Sequence, residues 1–127
     1  MQGKHLYEYA IIRVLPKVER EEFVNVGLIL FSKKEKFIKL EYHIDEKRLF
    51  SFSKELDLES IDATLKSYRL IAMGDPHAST IAAMEIPERF RWLTAVRSSC
   101  IQSSRPHSGF SDDLELTFDK LFEELIL

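Results

Sequence analysis

The sequence predicts an α+β fold: a mainly antiparallel sheet of three to four strands, the first three in a meander, packed with three or four helices. Apolar residues alternate or run in short β-rich blocks as far as Tyr42, which is strand patterning. Near Asp45 the apolar spacing changes to the 3.6-residue period of helices. The segments joining the first three blocks are too short for the crossover that a parallel pair requires.

The first strand is read over residues 6–15, rich in Tyr, Ile and Val, and ends at Pro16, which has no amide to donate. A charged turn covers 17–22. The second strand runs over 23–31, with Val24, Val26, Leu28 and Leu30 expected on one face and Phe23, Asn25, Gly27, Ile29 and Phe31 on the other. Apolar groups on both faces suggest a central strand covered on both sides. A third strand follows over 37–42.

Residues 45–52 read as one or two helical turns. Residues 57–73 read as a helix with Leu58, Ile61, Leu65, Tyr68 and Ala72 on one face, Asp57 as N-cap and Gly74 as the stop. A loop covers 74–80. Pro87 opens a third helix with Phe90, Leu93 and Val96 inward. Residues 99–103 read as a short fourth strand and 104–111, SRPHSGFS, as a loop. Asp112 with Glu115 resembles a capping box for a last helix whose apolar face is Leu114, Phe118, Leu121, Phe122 and Leu125.

The length of 127 residues suits one domain over 1–127, large enough to fold without disulfide or metal. A net charge of −3 argues against broad nucleic-acid binding, which needs a strongly basic face. Cys100 is the only cysteine, so no internal disulfide forms, as suits the cytoplasm. No signal peptide is recognised, and no apolar run reaches membrane-spanning length, so no membrane association is expected.

Catalytic signatures are not found. His5, His43, His77 and His107 lack metal-ligand spacing, so no metal is expected, and with only four glycines no phosphate-cradling loop is present, so no cofactor is expected. Cys100 reads as a structural thiol rather than a nucleophile paired with His107. Two features stand out. Asn25-Val26-Gly27 interrupts an apolar strand, which reads as a β-bulge and competes with a binding role. The arginines Arg89 and Arg97 precede a polar run, Ser103 to Gly109, in which Ser104, Arg105 and His107 suit capture of an anion or an acidic partner segment. With Arg13, these give the candidate binding residues Arg13, Asn25, Gly27, Arg89, Arg97, Ser104, Arg105 and His107; no catalytic residue is assigned.

The segments Tyr9-Ala-Ile-Ile-Arg13-Val-Leu-Pro16, Glu22-Phe-Val-Asn25-Val-Gly27-Leu-Ile-Leu30, Arg89-Phe90-Arg91-Trp92-Leu93 and Ile101-Gln-Ser103-Ser104 through His107-Ser-Gly109-Phe resemble the domain-of-unknown-function family 3037. The resemblance spans nearly the whole chain. It implies a small bacterial protein without established activity, encoded beside HipA-like serine/threonine kinase homologues. The expected function is therefore a non-catalytic binding module that partners a protein, a HipA-like kinase being the partner the family context implies, or that self-associates as a homodimer. The alternative is a small enzyme or ligand binder acting on a phosphorylated or nucleic-acid-like substrate through Arg13, Asn25, Arg89, Arg97, Ser104, Arg105 and His107.

Overall fold

The computed structural model describes residues 4–16, 20–97 and 99–127. Part of the charged turn expected over 17–22, residues 17–19, lies outside these. The strands are β1 (His5–Val14), β2 (Val24–Ser32), β3 (Phe37–Tyr42), β4 (Ile101–Ser103) and β5 (His107–Ser111). The helices are α1 (Glu46–Phe52), α2 (Leu58–Met73), α3 (Ile86–Leu93) and α4 (Leu114–Leu125), with a 3-10 turn at Thr80–Ala83. The α+β class, the antiparallel meander and the four helices agree with the sequence reading.

Among the described residues the sheet has five strands in the order β3-β2-β1-β4, and β5 also pairs with β1. All pairings are antiparallel. The ten-residue β1 is long enough to take β4 along its C-terminal part and β5 along its N-terminal part. The segment expected as a loop over 104–111 is thus largely strand. Ile12 faces Ser103 and Tyr9 faces His107, so two residues of β1 oppose three, Ser104 to Pro106. The extra residue sits where Pro106 has no amide to offer the ladder.

A second bulge lies at the Asn25-Val26-Gly27 interruption. Ile12 faces Gly27 while Arg13 faces Asn25, leaving Val26 as the extra residue. One inserted residue reverses the parity of everything before it. Val24 and Val26 therefore share the face of Ile29 and Phe31, while Asn25 joins the side of Leu28 and Leu30. This corrects the expected grouping, which assumed unbroken alternation. Gly27 is needed for close approach: a Cβ there would sit 3.1 Å from the Glu41 carbonyl oxygen and 3.3 Å from the Cβ atoms of Ile12 and Tyr42.

Each sheet face has its own core. The larger packs Ala10, Ile12, Val14, Val24, Val26 and Ile29 against Leu49, Ile61, Leu65, Tyr68, Ile71, Phe90 and Leu93 of the first three helices. The Phe31 and Phe90 rings stack with centroids 4.8 Å apart. The smaller packs Leu28 and Leu30 against Leu114, Phe118 and Ile126, with Tyr7, Tyr9 and Ile11 alongside.

Helix ends follow elementary capping chemistry. Asp57 accepts from the Ser60 amide, and Gly74 ends α2 at φ 75°, a left-handed conformation that glycine adopts freely. Asp113, rather than the expected Asp112, caps α4 by accepting from the Leu116 amide. Val96 stands in solvent instead of facing inward with Phe90 and Leu93, because α3 ends at Leu93.

Candidate functional site

The eight residues singled out from the sequence fall into three groups. Arg89, Arg97 and Ser104 bond to the chain itself. Arg89 donates from Nη1 to the Ile71 and Ala72 carbonyls and from Nε to the Met84 carbonyl, tying the end of α2 to α3. Arg97 donates to the Trp92, Leu93 and Ala95 carbonyls and lies over the Trp92 ring, 4.5 Å from its centroid. Ser104 is buried at the β4–β5 bulge. Its hydroxyl accepts from the Ile11 amide at 2.9 Å and donates to the Arg105 carbonyl, while its own amide bonds to the Ile11 carbonyl. The side chain replaces a rung that the bulge would otherwise leave empty.

Arg13, Asn25 and Gly27 surround the first bulge. Asn25 donates from Nδ2 to the Leu125 carbonyl, fastening the end of α4 to the sheet. The Arg13 guanidinium stacks 4.0 Å over the Phe23 ring, and burial lowers its pKa from the ordinary value. Arg13 Nε and Asn25 Oδ1 are buried without a hydrogen-bond partner among the described residues.

Arg105 and His107 are exposed at the open edge of the sheet. The His107 ring packs against Tyr9 with centroids 5.2 Å apart, and Tyr9 lies 6.2 Å from Tyr7. The Tyr7 ring covers Gly109, where a Cβ would collide with it. Burial pushes the Tyr7 phenol above its ordinary pKa, and neighbouring Tyr9 adds to this.

Arg13, Arg97, Ser104 and His107 are absent from the lining of three clefts formed by the described residues. Two of those clefts instead adjoin one another at the β1–β5 edge, sharing Leu6 and Lys33. One, of about 340 Å³, is lined by Leu6, Tyr7, Glu8, Phe31, Lys33, Pro87, Arg91 and Ser108. The other, of about 500 Å³, is lined by Lys4, His5, Leu6, Lys33, Lys34, Glu35 and Phe110. Leu6 and Phe110 are directly opposite one another across β1 and β5 and are 52% and 56% exposed. Sequence reasoning singled out neither. The signal for it was Phe110 itself, a large apolar side chain in a run otherwise built of Ser, Arg, Pro, His and Gly.

Lys4, Lys33, Lys34 and Arg91 rim these clefts without an ion pair among the described residues, whereas Glu35 is held by His5 Nδ1 at 2.9 Å. Among the described residues no group of three or more His, Cys, Asp or Glu could hold a metal ion. No described helix is long and apolar enough to cross a membrane.

No curated protein and no solved structure matches the chain. The family model described as "Protein of unknown function (DUF3037)" matches residues 9–126, a span from the middle of β1 to the end of α4, and the chain belongs to that family.

Proposed function

We propose that this chain is a non-catalytic binding module that docks a partner protein on the β1–β5 edge of its sheet. The observation that carries the reading is the Leu6–Phe110 pair. Two large apolar side chains stand side by side in solvent, over two adjoining clefts, and Phe110 lies on a strand whose outer side pairs with no other described strand. Grouped apolar exposure of this kind marks interaction surfaces more often than isolated exposed residues do. The side chains that would otherwise recommend a small-ligand site, Arg89, Arg97 and Ser104, already serve backbone groups of the fold.

The partner class to try first is a HipA-like serine/threonine kinase, which rests on the family resemblance. The setting on this reading is the cytoplasm, where Cys100 stays a thiol. Co-expression with a HipA-like kinase of the same genome, followed by titration calorimetry, tests the reading. The chain should form a complex that Leu6→Ser combined with Phe110→Ser abolishes while the circular dichroism spectrum is unchanged. Undiminished binding by the double variant would remove this edge from the interface. Absence of any complex would remove the kinase as the partner. A concentration-dependent dimer lost in the double variant would make a second copy the partner.

A further inference from the structure

The backbone of the β5 edge is oriented to receive another strand. Ile11 directs both its amide and its carbonyl toward Ser104, on the β4–β5 side, while the Leu6 carbonyl points the other way and accepts from Ser32. Backbone groups alternate along a strand, so His5, Tyr7 and Tyr9 of β1 bond to β5. Their partners Ser111, Gly109 and His107 spend their groups inward. Ser108 and Phe110 are left with amide and carbonyl directed out of the sheet, and both are exposed.

The side chains of Ser108 and Phe110 lie on the face that carries Leu6, Glu8 and the two clefts. A strand laid along β5 would place every second side chain on this same face, beside Phe110 and under the rim formed by Lys4, Lys33, Lys34 and Arg91. The carboxylates facing the clefts are Glu8 and Glu35, and Glu35 is bonded to His5. The rim is therefore locally basic in a chain of net charge −3. Symmetric pairing of β5 with β5 of a second copy would bring two such rims together, like charge against like.

Resting on the binding-module reading above, we infer that the partner contributes an extended acidic segment that adds to β5 as a further strand, bonding to the backbone of Ser108 and Phe110, setting an apolar side chain against Leu6 and Phe110, and pairing carboxylates with Lys33, Lys34 and Arg91. β5 is short and follows Pro106, which limits the added backbone bonds to a few. The apolar contact and the charge pairing supply the remainder of the affinity, and shortness guards the free protein against indiscriminate edge pairing.

The test pans a phage-displayed library of random peptides on the immobilised full chain. A selected peptide is then synthesised and its affinity read by fluorescence anisotropy. The selected sequences should alternate apolar with Asp or Glu. N-methylation of the amides that face β5 should weaken binding by at least about tenfold, and N-methylation of the intervening amides should not. Lys33→Glu with Lys34→Glu should weaken binding by roughly tenfold, and more salt should weaken the wild-type complex. Failure to select any peptide, selection of basic sequences, or equal sensitivity to N-methylation at every position would overturn strand addition. If partner capture still depends on Leu6 and Phe110 in that event, the binding-module reading survives without it. If capture does not depend on them, that reading falls as well.

Discussion

β3 and β5 are both edge strands, yet only β3 is fastened over both of its faces. Glu41 lies opposite Leu28 and Tyr42 opposite Gly27, so these neighbours project to opposite sides of the sheet. Arg69 of α2 reaches both, donating to Glu41 at 3.2 Å and covering the Tyr42 ring with 5.2 Å to its centroid. It thereby spans the edge. Tyr42 also bonds to Asp62, and Lys39 bonds to Glu115 of α4 at 2.8 Å. Among its described contacts β5 is tied to a helix on one face only, by the bond between the hydroxyls of Ser111 and Thr117 of α4 at the end of the strand. Its inner side rests on β1, and its outer side presents Phe110, Ser108, His107 and unpaired backbone. An open edge invites pairing with other chains, which proteins avoid where they have no use for it. The contrast between a strapped edge and an open one is the reason to place recognition at β5.

The comparison breaks most visibly at Gly27. Gly27→Val should push β3 away from β2, because the new side chain meets the Glu41 carbonyl and two Cβ atoms rather than a flexible tip. Overpacking of this kind should cost about 2 kcal/mol, read as a lower midpoint in chemical denaturation. An unchanged midpoint would mean that β3 yields freely and is not the firmer edge.

Ser104→Ala tests the other seam. It removes the acceptor of the half-buried Ile11 amide and should cost roughly 1–2 kcal/mol. Partner affinity should stay near wild type for the folded variant, since Ser104 holds the open edge in place rather than touching what binds there. A loss of affinity without loss of stability would return Ser104 to the binding surface.

A smaller effect is expected at alkaline pH. The hydrogen bond that Lys39 donates to Glu115 raises the Lys39 pKa above 10.5, so the folded state holds this proton more tightly than the unfolded chain does. The resulting stability is complete below pH 10.5 and disappears as pH rises through the folded value. Burial likewise raises the Tyr42 phenol above 10.0, with loss in the same direction. Lys39→Met should flatten part of this alkaline decline in denaturation midpoints. Identical pH slopes in the two proteins would show that the Lys39 strap contributes nothing.

The parts of this contrast that can be read from sequence are those set by local pattern. Apolar spacing along a helix concerns neighbours on one element, and Ile61, Leu65, Tyr68 and Ala72 are buried as their period requires. Asp57 and Gly74 announce the ends of α2 by residue type. The face assignment of β2 fails at Val26 because a one-residue bulge changes no composition yet reverses parity. β5 escapes a sequence reading because SRPHSGFS has no alternation and Phe110 as its one β-former; it is strand because the long β1 extends past β4 and offers it a ladder. Arg89 and Ser104 look free in sequence because the Ile71 and Ala72 carbonyls and the Ile11 amide they satisfy are tertiary neighbours, whereas Arg97 turns back onto the Trp92, Leu93 and Ala95 carbonyls just behind it, where α3 has ended. Leu6 and Phe110 lie about a hundred positions apart, and only strand pairing brings them together.

Amide hydrogen exchange at single-residue resolution, with and without the bound partner, tests the central claim most directly. In the free protein the Ser108 and Phe110 amides should exchange rapidly, while Gly109, bonded to Tyr7, is protected. On binding, Ser108 and Phe110 should become protected, with Leu6 and Arg91 resonances shifting alongside. Unchanged exchange at Ser108 and Phe110, with new protection appearing on another surface, would contradict the account.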